Sequence, residues 1–106
     1  TDVNTILETG PIDVSNLAAT QLEFYYYMCG VGYTPLNFLY VEAFDGTNWN
    51  GIDTIQQGTV GWEEFSYNIS SHVYNTNYVN IRFRSESGGS SVDYYGDQAI
   101  DDIAIF

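Results

Sequence analysis

The stretch that decides the fold is residues 96–106, GDQAIDDIAIF, because its side chains alternate with a period of two residues. Written as a strand, it places Ala99, Asp101, Ile103 and Ile105 on one face and Ile100, Asp102, Ala104 and Phe106 on the other. Both faces are mainly apolar, which is typical of a strand in the middle of a sheet. We therefore predict a central strand that is buried on both sides. Its two aspartates then require hydrogen-bond, ion-pair or metal partners.

The rest of the composition agrees with an all-β domain. A chain of 106 residues suits one domain, and 44% hydrophobic with 17% aromatic residues is too much apolar surface for disorder. No segment keeps a helical period, whereas β-branched residues, aromatic residues and ten glycines are frequent. The chain is therefore predicted to fold as a single β domain.

Four further segments alternate in the same way, at residues 20–29, 36–45, 62–69 and 78–86. The first, TQLEFYYYMC, is the clearest strand, with Leu22, Phe24, Tyr26 and Met28 on one face and Gln21, Glu23, Tyr25, Tyr27 and Cys29 on the other. Turn residues separate the segments. Strands at this spacing predict an antiparallel jelly-roll β-sandwich.

The N-terminal segment is set apart from this body. Residues 1–10 form a short β-prone arm carrying Val3, Ile6 and Leu7, and Gly10-Pro11 interrupts it. One interpretation is an arm separate from a domain at residues 11–106. The other is a single edge strand with a bend.

The net charge of the chain limits the classes of binding partner and the cellular location that we expect. The chain has fourteen acidic residues, two arginines and no lysine, which gives a net charge of −12. Nucleic acid and anionic membrane surfaces would be repelled, and no long apolar run predicts membrane insertion. Cys29 is the only cysteine, so no intrachain disulfide forms. The acidic balance suits an extracellular or cell-surface medium that contains divalent cations.

Several segments resemble the MAM domain, the extracellular jelly-roll adhesion module of meprins, neuropilins and receptor tyrosine phosphatases. They are ILETGPIDVS at 6–15, LEFYYYMCG at 22–30, LNFLYVEAFDG at 36–46, YVNIRFRSESG at 78–88 and GDQAIDDI at 96–103, together with Trp49 and Trp62. The chain lacks the cysteines of that family, which indicates a bacterial or otherwise divergent relative. It also lacks the family's N-terminal portion before the ILETGP segment, including an acidic loop.

A sandwich without its opening strand would expose unpaired backbone groups and apolar side chains. We therefore consider donor-strand complementation, in which Val3, Ile6 and Leu7 of one copy enter the sandwich of the next. The apolar residues Phe38, Tyr40 and Phe44 would then contact the neighbouring subunit. Head-to-tail exchange of this kind builds a homopolymeric filament. The alternative is that the arm pairs within its own domain and the chain is a fragment of a longer protein.

The same resemblance suggests a structural Ca²⁺ at Asp101. Asp13, Asp97 and Asp102 would supply the further oxygen ligands. The alternative, favoured by the absence of the early acidic loop, is that these aspartates accept backbone hydrogen bonds or pair with Arg82 or Arg84. No other cofactor is indicated.

A glycan is the second class of ligand that the composition allows. Trp49, Tyr94 and Tyr95 are predicted to lie in loops, where rings stack on sugars, whereas Trp62 begins a strand and is predicted to be core. The alternative is that all these aromatic residues pack inside the domain. Asn68 begins the sequon Asn68-Ile69-Ser70, and Thr54 lies in a pattern resembling a bacterial O-glycosylation site.

No catalytic set is present in the sequence. His72 is the single histidine, no nucleophile motif occurs, and neighbouring acid pairs point to opposite faces of their strands. We expect a non-enzymatic extracellular structural or adhesive module that associates with copies of itself, as the repeating subunit of a surface fibre. The alternative is a carbohydrate-binding or accessory module of a secreted hydrolase or protease.

Overall fold

The computed structural model describes residues 4–28, 38–56, 58–74, 77–86 and 98–106. They contain eight strands and one short 3₁₀ helix at Ser70–His72. The strands are β1 (Asn4–Glu8), β2 (Ile12–Asp13), β3 (Gln21–Met28), β4 (Phe38–Phe44), β5 (Trp49–Ile55), β6 (Glu63–Asn68), β7 (Tyr78–Glu86) and β8 (Gln98–Ile105). No helix in this part of the chain is long and apolar enough to span a membrane.

The strands form two antiparallel sheets. The larger sheet has the order β1-β7-β4-β5, and β2 also pairs with β7. The smaller sheet has the order β6-β3-β8, with the long strand β3 in its centre. The two sheets pack face to face around one hydrophobic core. The prediction of an all-β antiparallel sandwich is confirmed.

The core follows directly from the alternation in the sequence. The inward face of β3 is fully buried, and it meets the inward faces of β4 and β7; these side chains are Leu22, Phe24, Tyr26, Met28, Leu39, Val41, Ala43, Val79, Ile81 and Phe83. Phe24 lies at the centre, with its ring centroid 5.0 Å from Phe83 and 5.7 Å from Phe65. Burial of these apolar faces is the main force that holds the sheets together.

A polar contact closes one side of the sandwich, where β5 and β6 meet. The Tyr67 hydroxyl donates a hydrogen bond of 2.6 Å to Oδ2 of Asp53, and it thereby links the two sheets. Burial, followed by the hydrogen bond and the charge of Asp53, raises the pKa of Tyr67 far above its ordinary value. The phenol therefore remains a donor at all physiological pH values.

The opposite side of the sandwich lies between β1 and β8. An apolar groove of about 190 Å³ lies there, lined by Thr5, Leu7, Leu39, Phe83, Ser85 and Ile100. In the described residues β8 pairs only with β3, so it is an edge strand, and Ile103 is 38% exposed. The prediction that this strand is central and buried on both sides is wrong. Its apolar character reflects an edge beside the groove.

A β-bulge in β8 explains the two aspartates. Glu23 pairs with Ala104 and Tyr25 pairs with Asp101, so β8 carries one more residue than β3 between these pairs. Asp102 adopts a left-handed conformation with φ of 52°, which aspartate tolerates better than most residues. Its backbone N–H donates to Oδ1 of Asp101 at 2.9 Å.

The bulge also changes which side chains share a face. Strict alternation predicted Asp101 and Ile105 on one face. The pairing instead places Asp101 opposite the outward residue Tyr25, and Ile105 opposite the buried residue Leu22. An inserted residue moves every later side chain to the other face. Asp101 and Asp102 are both exposed, so neither is a buried charge.

The N-terminal segment is part of the larger sheet. β1 forms five residue pairs with β7, including Ile6 with Arg84 and Leu7 with Phe83. β2 continues along β7 after the interruption at Gly10-Pro11, so the segment is an edge strand with a bend. β1 is therefore already paired with β7 of its own chain, and releasing β1 would break the hydrogen bonds of this pairing. The structure therefore gives no support to the expectation of a free donor strand, although Ile6 and Leu7 are 52% and 54% exposed.

The outer face of the larger sheet carries both arginines of the chain. Arg82 Nε lies 2.7 Å from Oε1 of Glu42, and Arg84 Nη2 lies 3.2 Å from Oε2 of the same carboxylate. Each guanidinium also covers an aromatic ring, Arg82 over Trp49 at 4.3 Å and Arg84 over Tyr40 at 4.1 Å. This face is therefore a layer of paired charges and rings.

Replacing Glu42 with glutamine is expected to lower the free energy of unfolding at pH 7 by about 1–3 kcal/mol. Burial opposes ionisation of Glu42, but hydrogen bonds from Arg84 and Arg82 outweigh it, so its pKa lies below the ordinary value. Because the pKa of Glu42 is lower in the folded state, its ionised form stabilises the fold at pH values above 4.5, the pKa in the unfolded state. This contribution disappears as the pH falls through the lowered pKa of the folded state.

Urea denaturation of Glu42→Gln and of the unmodified chain at pH 7 and at about pH 3.5 measures this linkage. The difference between the two proteins should shrink at the lower pH. Glu63→Gln is the control, because this carboxylate is exposed and should change stability by less than about 0.5 kcal/mol. A pH-independent difference would contradict the assignment to the charge of Glu42.

The β4–β5 hairpin turn depends on one glycine. Gly46 has φ of 97°, and a Cβ atom there would lie 2.7 Å from Cβ of Tyr74. Gly46→Ala is expected to lower the free energy of unfolding by about 2–4 kcal/mol through strain and steric overlap. Gly51→Ala is the matched control, since nothing lies within 4 Å of its Cβ position. Thermal unfolding of both variants checks the prediction, and equal melting temperatures would refute it.

Candidate functional site

Three aromatic residues lie together on the outer face of the smaller sheet. Tyr25 and Tyr27 occupy outward positions of β3, and Trp62 directly precedes β6. The Trp62 ring is 5.8 Å from the Tyr27 ring, with an angle of 39° between the planes. Trp62 is 51% exposed and Tyr25 is 37% exposed, so their rings are accessible to a ligand.

Carboxylates flank these rings because of the strand register. Tyr25 pairs with Glu64 of β6 on one side and with Asp101 of β8 on the other. The bulge brings Asp102 to the same place, and an open cleft of about 280 Å³ is lined by Tyr25, Trp62, Asp101 and Asp102. We call this feature the aromatic cleft.

The acidic residues control the ionisation of the central tyrosine. The negative charge of Glu64 raises the pKa of Tyr25, and partial burial, a hydrogen bond with Glu64 and the charges of Glu23 and Asp102 act in the same direction. Tyr25 therefore stays protonated at neutral pH. The carboxylates of the cleft retain acceptor positions for other donors.

The chemistry of the aromatic cleft suits one kind of ligand. An exposed indole ring provides a flat apolar surface, and the surrounding carboxylates accept hydrogen bonds from hydroxyl or ammonium groups. Ligand sites commonly combine an apolar wall with a few polar groups that fix orientation. The cleft therefore fits a ligand with an apolar face and a rim of hydrogen-bond donors.

Of the aromatic residues chosen from the sequence as a platform, the structure describes only Trp49, which is not part of the aromatic cleft. Trp49 is half-buried on the larger sheet, with its ring 5.3 Å from Phe44 and covered by Arg82, so it is not a free platform. Tyr94 and Tyr95 lie outside the described residues. Trp62, predicted to be core, is exposed, and that prediction is wrong.

The residues predicted to contact a neighbouring subunit lie beside Trp49. Phe38, Tyr40 and Phe44 are half-buried on the outer face of β4, where Phe38 and Tyr40 stack at 5.8 Å. Phe44 contacts Trp49 and also Tyr74, at 5.6 Å. Their rings cover one another, and their contact with a neighbouring subunit stays a prediction. Of the predicted donor residues, Val3 lies outside the described part of the chain.

Among the described residues, the predicted calcium ligand Asp13 lies apart from Asp101 and Asp102. Asp13 belongs to the larger sheet, where its Oδ1 accepts the backbone N–H of Ser15 at 2.9 Å, whereas Asp101 and Asp102 belong to the smaller sheet. Hydrogen bonds from the side chain and backbone of Ser15 lower the pKa of Asp13. Asp97 lies outside the described residues. Among residues that are described, no three acidic, histidine or cysteine side chains are grouped to hold a metal ion.

Both predicted glycosylation residues are exposed. Asn68 ends β6, and its Oδ1 accepts the backbone N–H of Ser70 at 2.9 Å. Thr54 lies on β5, where its backbone N–H donates to Oδ1 of Asp53 at 2.7 Å. Their exposure is compatible with modification, which stays a prediction.

A sequence signal for the cleft was present in β3. Outward positions of a solvent-facing strand are usually polar, whereas two of those in β3 are Tyr25 and Tyr27. Their exposed partner Trp62 directly precedes β6, and only the antiparallel pairing of β3 with β6 brings it to them.

The comparisons with known proteins bear on the fold. The sequence matches no protein-family model, and no curated protein matches it. The fold is similar to that of TmCBM61, a carbohydrate-binding module solved in complex with beta-1,4-galactotriose, with a TM-score of 0.66 and 14% sequence identity. The likeness covers 99% of this chain and 63% of that one, so this chain spans less than two thirds of its length. The likeness shows a shared β-sandwich fold, and the resemblance to MAM domains stays a prediction.

Proposed function

We propose that this chain is a non-catalytic, extracellular carbohydrate-binding module that holds a saccharide in the aromatic cleft. The observation that carries the proposal is the exposed Trp62 ring beside Tyr25 and Tyr27, with carboxylates on both sides. The similar fold of a carbohydrate-binding module supports it, although a shared fold does not by itself assign a ligand.

A saccharide has an apolar face and polar hydroxyl groups, and the cleft offers a surface that suits each of them. The C–H face of a sugar ring is apolar and can lie on the indole of Trp62, while the ring hydroxyls point outward toward Asp101 and Asp102. The Trp62 ring lies 5.8 Å from the Tyr27 ring, so the aromatic wall includes a ring contact that does not depend on a ligand. Such a contact reduces the entropy cost of binding.

The chain offers an internal reporter for this proposal because it has two tryptophans. In the variant Trp49→Phe, fluorescence comes from Trp62 alone, and an aromatic ring remains beneath Arg82. Titration with galactotriose and a panel of soluble neutral oligosaccharides should change this fluorescence in a saturable manner.

Binding to the unmodified chain is measured in parallel by calorimetry. The proposal requires that at least one saccharide of the panel binds and that it changes the Trp62 signal. Binding that leaves the Trp62 signal unchanged would place the saccharide elsewhere. An absence of binding across neutral, amino and acidic saccharides would reject the proposed function.

A further inference from the structure

The aromatic cleft has an unbalanced charge. Four carboxylates lie on or beside it, from Glu23, Glu64, Asp101 and Asp102, and the charges of three of them act on the Tyr25 phenol. The chain contains only two arginines and no lysine, and both arginines belong to β7 in the other sheet. No lysine or arginine is therefore available at the cleft to neutralise these acids.

The outer face of the larger sheet shows the contrast. There Arg82 and Arg84 are paired with Glu42, and Nη1 of Arg84 also lies 3.8 Å from Oε2 of Glu86. Both arginines are therefore engaged with Glu42 and Glu86 on that face. The carboxylates of the cleft face have no lysine or arginine partner.

We infer that the aromatic cleft selects its saccharide by charge, favouring amino sugars with a free ammonium group and rejecting uronic or sulfated sugars. This inference rests on the proposed function. A ring that lies on Trp62 would bring its substituents toward Asp101 and Asp102, where an ammonium gains charge-assisted hydrogen bonds and a carboxylate or sulfate is repelled. Neutral sugars would bind with intermediate affinity.

The size of the effect follows from the exposure of the cleft. Charges a few ångströms apart at a wetted surface change an affinity by roughly 10-fold, and added salt reduces the change. We therefore expect a free-amine trisaccharide to bind about 10-fold more tightly than its N-acetylated counterpart at low salt. This preference should fall to within about 3-fold at 0.5 M salt.

The test uses four probes with the full chain: a glucosamine trimer, the N-acetylglucosamine trimer, neutral galactotriose and a galacturonic acid trimer. Calorimetry at low and high salt gives each affinity. The double variant Asp101→Asn/Asp102→Asn removes two charges but keeps an acceptor for the Asp102 backbone N–H and a residue type that tolerates its positive φ. A control variant, Glu8→Gln/Asp13→Asn, removes two exposed charges from the other sheet.

The inference predicts that the double asparagine variant loses the preference for the free amine and that the control variant keeps it. Equal affinities for the free-amine and N-acetylated trimers would overturn the inference, while their binding would leave the proposed function intact. Amine binding that survives Trp62→Ala unchanged would also overturn it, because the ammonium would then bind outside the cleft. If no probe binds, both the inference and the proposed function fail.

Discussion

Replacing Phe24 with alanine is expected to lower the free energy of unfolding by about 3–5 kcal/mol, the largest change in stability that we predict. Phe24 is fully buried in the centre of β3. Its ring contacts the rings of Phe65 and Tyr67 in β6 and of Phe83 in β7. Truncation removes these contacts and leaves a cavity between the sheets. A loss of this size is a large part of the stability of a small domain.

The neighbouring residue provides a matched control. Tyr25 follows Phe24 in the same strand but points outward, and Tyr25→Ala should change the free energy of unfolding by less than about 1 kcal/mol. Urea denaturation followed by circular dichroism measures both variants. Equal losses in the two variants would contradict the assigned faces of β3 and with them the position of the cleft.

Replacing Trp62 with alanine is expected to weaken saccharide binding by at least about 30-fold, the largest functional effect that we predict. The ring supplies the exposed flat surface of the cleft, and it contacts Tyr27 at its side. Few other side chains at the cleft offer comparable apolar area. Trp62→Phe should retain part of the affinity because a smaller ring still offers a stacking surface.

Phe106→Ala is the matched control for this variant. Phe106 is 52% exposed, close to the 51% of Trp62, and lies just beyond the end of β8, outside the residues that line the cleft. Its removal should leave affinity unchanged within about 2-fold. Calorimetry with the saccharide that binds the unmodified chain gives both values. Unchanged affinity in Trp62→Ala would exclude the aromatic cleft as the binding site.

The alternation of β3 shows how far sequence reasoning reaches. The prediction that Leu22, Phe24, Tyr26 and Met28 form one buried face is confirmed, since a strand exposes successive side chains to opposite sides. The same reasoning placed Tyr25 and Tyr27 on the outward face, but it could not say what else lies there. Trp62 is more than 30 residues away in the chain and joins them only through the pairing of β3 with β6.

Residues 96–106 show where periodicity fails. The pattern predicted a strand, which is confirmed as β8, but it also predicted two buried faces and a central position. The bulge at Asp101 and Asp102 inserts a residue that no period of two can describe. An apolar edge strand beside a groove has the same composition as a central strand, so the sequence could not distinguish them.

The sequence by itself determined that this chain forms a β-sandwich with an acidic surface, because alternation and net charge are local or additive properties of the residues. The tertiary structure alone decided which residues meet: the partner of β1, the edge position of β8, and the grouping of Trp62, Tyr25 and Asp101 in one cleft. Strand order and register depend on contacts between residues far apart in the chain. Those contacts bring Trp62, Tyr25 and Asp101 together on the outer face of a common fold.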